Sequence, residues 1–278
     1  MKIDQYPEVE LLSRDDRFLM DTPNGTRQYK LKQGAFWNLL EASYFADRDI
    51  LHSANYRCKN LGTFVTDKQW ASIKSGSFDD LFVGDYWMIN NIQWQIVDIN
   101  YWAGRALGVA DNHLMIMPRR CIATGPVNST NTNSTGYVGS FLYTDLLPKC
   151  LNQVNDIFGE EHIVARSEAL YPNAVSDAGL VTSTVWMRNV KIEVPNEPMI
   201  FGCRWQALNG GSVGDVNQLA LFRFHPYYIV ASGYNAWWLR DNIGGSNTSF
   251  VCVMGNAGIT GAKAGDSHGV RPLFAIKG

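Results

Sequence analysis

Cys203 and His225 are the residue types of a nucleophile and its general base, but nothing near either one in the sequence orients them. The pair therefore reads as structural. His52, His113, His162, His225 and His268 are scattered, with no H-E-x-x-H, no H-x-H and no two at metal-ligand spacing. No Gly-x-Ser-x-Gly elbow occurs. Gly-Asn-Ala-Gly-Ile-Thr-Gly at 255–261 has the glycines of a phosphate loop. It lacks the lysine, the preceding parallel strand and the following helix. Asp79-Asp80 and Glu160-Glu161 are adjacent, and adjacent side chains on a helix or strand point apart instead of converging on one reacting atom. They read as solvated surface or caps. The expectation is a chain that is not an enzyme, holds no metal and uses no cofactor.

Recognition chemistry is better supplied, near the C-terminus. Trp237-Trp238-Leu239-Arg240-Asp241 is the densest aromatic cluster, and Gly269-Val270-Arg271-Pro272-Leu273-Phe274 is a second apolar block. Between them, Asn242 to His268 alternates Gly, Asn, Ser and Thr with few apolar residues and carries only Lys263 and Asp266 as charges. This pattern suggests a rigid frame holding a displayed surface. Trp238, Arg240 and Arg271 are the expected frame, the two arginines satisfying carbonyls or Asp241 across it.

The elements that must position these residues are legible in part. A helix is expected from Gly34 to Phe45, and another from Asp67 to Ser75 with Thr66 as N-cap and Gly76 in the left-handed position after it. Tyr86–Ile89 and Ile92–Val97 flank Asn90-Asn91, the signature of a two-residue hairpin turn. His113 to Met117 is a short apolar run stopped by Pro118, and 128–135 is a polar loop. The longest helix is expected from Phe141 to Phe158, with Leu146, Leu147, Leu151, Val154 and Phe158 on one stripe, Pro148 in its first turns and Gly159 ending it. Beyond Pro195 the apolar runs 199–205, 218–224, 237–240, 250–254 and 270–276 read as brief strands between long loops.

Composition bounds the rest. The 278 residues carry 24 Lys or Arg against 26 Asp or Glu, a formal charge of -2, which lacks the basic field that phosphate-backbone binding needs. No nucleic-acid partner is expected. The N-terminus has no signal-peptide pattern and no window approaches the length of a membrane span. Five dispersed cysteines without a C-x-x-C pair fit reduced, mostly buried thiols, so the N-x-S/T triplets at Asn128, Asn133 and Asn247 read as chance. Residues 1–62 carry nine basic and nine acidic residues, whereas 202–278 carry six and three with thirteen glycines. That shift separates an N-terminal segment, 1–62, from a second domain, 63–278.

The blocks Phe78-Asp79-Asp80-Leu81-Phe82-Val83-Gly84-Asp85-Tyr86-Trp87, Asn112–Pro118, Gly136-Tyr137-Val138-Gly139-Ser140, Asn196-Glu197-Pro198-Met199, Gln218–Phe222, Trp238-Leu239-Arg240-Asp241 and Gly269-Val270-Arg271-Pro272 together resemble phage and prophage structural proteins of gut Firmicutes. The resemblance covers about residues 60–278. It implies an α+β, C-type-lectin-like fold of short strands, two or three helices and long loops, in the variant shared with formylglycine-generating enzymes and the phage tropism determinant. It implies a virion protein made in the bacterial cytoplasm: a tail or head fibre, without membrane insertion, that binds a host-surface receptor, protein or glycan. It also implies homotrimers and attachment to other virion proteins through residues 1–62. In such proteins the stretch between the two C-terminal blocks is displayed and sometimes diversified by a retroelement. Carried over, the receptor-binding candidates are Asn242, Asn247, Ser249, Met254, Asn256, Thr260, Lys263, Ser267 and His268. Met199 follows Glu197-Pro198 where sugar-binding lectins place a calcium ligand, and Cys252 stands alone where the formylglycine oxidase has two cysteines. Calcium-dependent sugar binding and that oxidase chemistry are therefore not expected. The alternative is a capsid decoration or baseplate component making only protein–protein contacts.

Overall fold

The computed structural model describes residues 17–22, 25–30, 54–103, 109, 112–170, 185–207, 217–233 and 235–278. The chain divides into two units, Met1–Leu51 and His52–Gly278. The division lies ahead of the boundary at 62 expected from composition. Residues 56–61 pair with the second unit: Tyr56 bridges Val83, Asn60 bridges Tyr86, and the Leu61 N–H donates to the Tyr86 carbonyl over 2.8 Å. In the first unit β1 (Arg17–Thr22) pairs antiparallel with β2 (Gly25–Lys30). The helix expected over 34–45 lies outside the described residues.

The second unit is α+β, with strands dominating. Its first helix, α1 (Asp67–Ser75), starts and stops where the caps direct. The Gln69 N–H donates to Thr66 Oγ1 while the Gln69 side chain accepts from the Thr66 N–H, a reciprocal capping box. Gly76 at φ 71° closes the other end. β3 (Tyr86–Ile89) and β4 (Ile92–Ile99) form the expected hairpin. Asn90 and Asn91 sit at φ 51° and 62°, the two left-handed residues of a type I′ turn. β5 (His113–Pro118) pairs with β4, and the C-terminal strand β14 (Leu273–Lys277) pairs with β5. β9 (Ile192–Glu193) completes a five-stranded sheet in the order β3-β4-β5-β14-β9. A second five-stranded sheet has the order β12-β11-β10-β13-β6, from β6 (Ala123–Gly125), β10 (Ala236–Asn242), β11 (Ser249–Met254), β12 (Ile259–Lys263) and β13 (His268–Val270). β7 (Arg166–Leu170) and β8 (Val185–Val190) form a separate ribbon.

The long helix over 141–158 resolves into a π-helical turn, Leu142–Leu146, followed by α2 (Leu147–Phe158). Pro148 falls in the first turn of α2, directly after the π-helical turn. Leu147, Cys150, Val154 and Phe158 are its buried face. Phe158 and Phe274 of β14 both meet the buried Trp94 ring edge-on, at 5.6 and 5.8 Å, joining helix and sheet. One hydrophobic cluster runs from here through Trp87 and Ile116 to Trp238 and Val253, so both sheets share a core.

Two expected strands are helices. Residues 199–205 contain the end of α3 (Glu197–Phe201), and 218–224 contain α4 (Ala220–Phe224). Short apolar runs do not distinguish strand from buried helix by periodicity. The caps decide here: Asn196 Oδ1 accepts from the Met199 N–H at 2.9 Å, and Asp98 of β4 accepts from the Ala220 N–H at 2.9 Å. The strand expected over 270–276 breaks at Arg271-Pro272 into β13 and β14.

Gly84, at φ 92°, sits where a Cβ would collide with the Arg57 carbonyl and the Tyr56 ring. Gly84→Ala is expected to destabilise the second unit by about 2 kcal/mol, read as a lower urea midpoint at unchanged slope.

Candidate functional site

The residues that could do covalent chemistry do not assemble. Cys203 is exposed, and the His225 ring lies 3.6 Å from the Tyr56 ring. Among the described residues no hydrogen bond joins Cys203 to His225, and no group of three His, Cys, Asp or Glu is placed to hold a metal ion. Asp80 pairs with Arg57 at 2.5 Å and with Lys59, and Glu160 pairs with Lys191 at 2.8 Å. Burial raises the Cys121, Cys150 and Cys252 thiols to about 12, 11 and 11, which leaves them as protonated core residues.

The frame is more elaborate than its sequence suggested. Trp238, Arg240 and Arg271 are all fully buried. Arg240 finds hydrogen-bonded charge partners in Glu168 and Glu193. It forms a closed ring with Arg166, Glu168 and Glu193, brought together from β10, β7 and β9. Arg166 Nε donates to Glu168 at 2.9 Å and its Nη2 to Glu193 at 2.6 Å. Arg240 Nη2 donates to the other Glu168 oxygen at 3.3 Å, and its Nη1 to the other Glu193 oxygen. Each carboxylate thus bridges both guanidinium groups. The Trp102 ring lies 3.7 Å from the Arg166 guanidinium carbon. Burial by itself would raise the Glu168 carboxyl. Arg240 and Arg166 outweigh it and hold the group below the usual carboxylate range.

Arg271 is held differently. Its Nε donates to the Pro118 carbonyl at 2.7 Å and its Nη1 to the Tyr228 carbonyl at 2.8 Å, and its guanidinium lies near the Phe222 and Trp237 rings. Burial, and then the neighbouring Arg119, push its pKa down to about 9. It ties the start of β14 to β5 and to the turn before β10. Trp238 Nε1 donates to the Gly125 carbonyl at 2.9 Å, pinning β10 to β6.

On this frame three polar loops are welded together. The Asn133 N–H donates to the Asn247 carbonyl at 3.0 Å, and Asn133 Nδ2 donates to the Ser246 carbonyl at 2.7 Å. The Asn128 N–H donates to the Ala264 carbonyl, and the Gly265 N–H donates to Asn131 Oδ1 at 3.0 Å. Loop 128–135 therefore buttresses both 244–249 and 263–267. Asn128 and Asn133 are buried by these bonds, which removes both as glycan acceptors. Ser129, Thr130 and Asn131 between them, and Ser134 just after, are exposed. The sequence marked this stretch as a loop, but nothing local showed that it joins the C-terminal face.

No protein-family model, curated protein or solved structure matches the chain.

Of the candidate receptor-binding residues, Asn247, Met254, Asn256, Lys263 and Ser267 are exposed, and Ser249, Thr260 and His268 are half-buried. His268 packs edge-on against Trp238 at 4.6 Å; burial lowers its pKa, against an opposing pull from Asp266. Asn242 does not belong with them. It is fully buried, because the bulge in β10 after Trp238 pairs it with Phe250 inside the sheet. The remaining candidates lie on β11, β12, β13 and the turns between them, together with the exposed part of 129–134. They fall at both ends of the β11–β12 hairpin, Asn247 and Lys263 at one and Met254 and Asn256 at the other, with Lys263 and Asp266 as the charges between Asn242 and His268. No helix among the described residues is long and apolar enough to cross a membrane.

Sequence reasoning missed Glu197 as an anchor. Its carboxylate is fully buried and accepts from three successive backbone N–H groups, Trp205 at 3.3 Å, Gln206 at 2.8 Å and Ala207 at 2.7 Å. These bonds engage both oxygens and tie Glu197 to the shape of the 205–207 loop.

Proposed function

We propose that the chain is a phage virion protein, a tail or head fibre, that binds a host-surface receptor through the face built by 129–134 and 244–268. The observation that supports it is a surface of exposed Asn, Ser and Thr side chains whose loops, 128–135, 244–249 and 263–267, are fixed to one another by hydrogen bonds. Pre-ordered loops bind without losing much conformational entropy, and small polar side chains adapt their hydrogen bonds to a partner. On this reading the second unit is a lectin-like display domain in its finer fold, the unit Met1–Leu51 attaches to other virion proteins, and the assembly is a homotrimer. The combined substitution of the exposed Asn247 and Asn256 by Ala is expected to reduce adsorption of the purified protein to host cells at least tenfold with an unchanged urea midpoint. Unchanged adsorption would overturn the proposal.

A capsid decoration or baseplate role, with protein contacts only, is favoured by exposed apolar residues elsewhere. Trp186 is 59% exposed and Tyr227 74% exposed, the latter beside the Arg119 guanidinium at 5.1 Å. Tyr, Trp and Arg are the residues that dominate protein interfaces.

A further inference from the structure

Two arginines grip the turn before β10, and neither meets an acid. The buried Arg271 donates from Nη1 to the Tyr228 carbonyl at 2.8 Å, and Arg119 donates from its own Nη1 to the Val230 carbonyl. The Arg119 backbone is fixed as well: its N–H donates to the Gln93 carbonyl at 2.8 Å and its carbonyl accepts the Ser232 N–H at 3.1 Å. Its guanidinium carbon lies 5.1 Å from the centre of the Tyr227 ring and 4.9 Å from that of Tyr228. One carbonyl and two rings therefore orient a half-buried guanidinium whose Nε and Nη2 donate to no other group. That edge is the one that takes a carboxylate through two parallel hydrogen bonds. Among the described residues no carboxylate pairs with Arg119, with the exposed Arg120 beside it in sequence, or with Arg271. Arg271 is the exception among the fully buried arginines, since Arg166 and Arg240 share two carboxylates. The segment that reaches this turn through Cys58, whose Sγ lies 3.4 Å from Tyr228 Oη, has acids close by in Asp80 and Asp85. Both are committed to Arg57, and Asp80 to Lys59 as well.

We propose that Arg119, with Arg120 and Tyr227, is a docking site for an acidic segment of a partner protein, one carboxylate of which takes the open edge of the Arg119 guanidinium. This does not depend on what the polar face binds. Charge complementarity selects the occupant: three guanidinium groups without an acid, in a chain whose formal charge is -2, form a local positive field. Their setting selects a polypeptide. Tyr227 is 74% exposed beside Arg119, and Tyr with Arg is the composition of protein hot spots, whereas a polyanion read by charge alone needs a longer basic track. The orientation is already in place, so little side-chain freedom is lost when the carboxylate arrives.

The test passes the full chain over three immobilised polymers: a random copolymer of glutamate and tyrosine, polyphosphate and polylysine. The variants are Arg119→Gln, Arg119→Lys, Arg120→Glu, Tyr227→Ala and Arg188→Glu. Arg188 is exposed on β8 and also without an acid among the described residues, so its substitution makes the same charge change at another place. The wild type should bind the copolymer and not polylysine, more weakly as salt rises. Arg119→Gln and Arg120→Glu should each lose about tenfold. Arg119→Lys keeps the charge without the fork and should lose nearly as much as Arg119→Gln. Tyr227→Ala should lose part of the binding, and Arg188→Glu none. Arg120→Glu and Tyr227→Ala alter exposed side chains and should keep the wild-type urea midpoint, which preserves the test if the Arg119 variants unfold. No binding to the copolymer, or an equal loss in Arg188→Glu and Arg120→Glu, would overturn the proposal. So would binding to polyphosphate in preference to the copolymer, which would make the ligand a phosphate polyanion.

Discussion

Arg240→Ala is expected to destabilise the second unit by about 4 kcal/mol, enough to unfold a domain of ordinary stability at modest denaturant. The loss has two parts. The side chain is fully buried between β10 and the elements carrying Glu168 and Glu193, so truncation opens a cavity. It also leaves two buried carboxylates sharing the single Arg166 guanidinium. The second part is the larger, because removing one partner strands a charge, whereas replacing a whole buried network by apolar residues of similar volume is often neutral. The four-fold replacement of Arg166, Glu168, Glu193 and Arg240 by Met or Leu should therefore recover most of the stability lost in Arg240→Ala. Equilibrium urea unfolding of both proteins separates the two effects. The ring also sets a pH dependence. Glu168 has a lower pKa folded than unfolded, so its contribution is fully present above the ordinary carboxylate pKa. It is lost as pH falls through the depressed folded value. Stability should decline on acidification below about pH 4 and be flat for this group above pH 5. Arg240→Ala should weaken that dependence.

Glu197→Ala is the second large effect. It leaves the N–H groups of Trp205, Gln206 and Ala207 without their acceptor, and Ala207 is fully buried. Each orphaned buried donor costs about 1–3 kcal/mol, so a total near 3 kcal/mol is expected after the exposed positions rehydrate. Glu197→Gln keeps one acceptor oxygen and should lose about half as much. Local release should also be visible: amide hydrogen exchange at 205–207 is expected to accelerate far more in Glu197→Ala than exchange in β4 or β14. Equal acceleration everywhere would mean that the carboxylate supports the whole unit and not this loop.

What the sequence disclosed follows from where each signal lives. The capping box at Thr66 and Gln69, the left-handed Gly76 and the Asn90-Asn91 turn are encoded within a few residues, and each appears where its residue types place it. Proline in the first turn of α2 is of the same kind. Asn242 was carried over as the first displayed residue after the Trp238–Asp241 block, but β10 continues through a bulge to Asn242, which the sequence does not reveal. α3 and α4 were misread because apolar runs of five residues carry no usable period. The Asn196 cap and Pro198 beside it were the available signal for α3, while the cap on α4 comes from Asp98, more than a hundred positions away. The Arg–Glu ring was invisible for the same reason: Arg166 and Glu168 belong to a ribbon with no link in sequence to Arg240, and only tertiary structure brings them together. The display face was half legible. Its C-terminal loops stood out by low charge, but its buttress, 128–135, looked like any polar loop until its hydrogen bonds to 246–247 and 264–265 placed it.

The most direct measurement is an electron-cryomicroscopy map of the assembled particle that carries this chain. Receptor binding through the polar face predicts that Asn247, Asn256 and Lys263 point outward into solvent at the surface of the particle. A map in which 244–268 is buried against neighbouring subunits would contradict it.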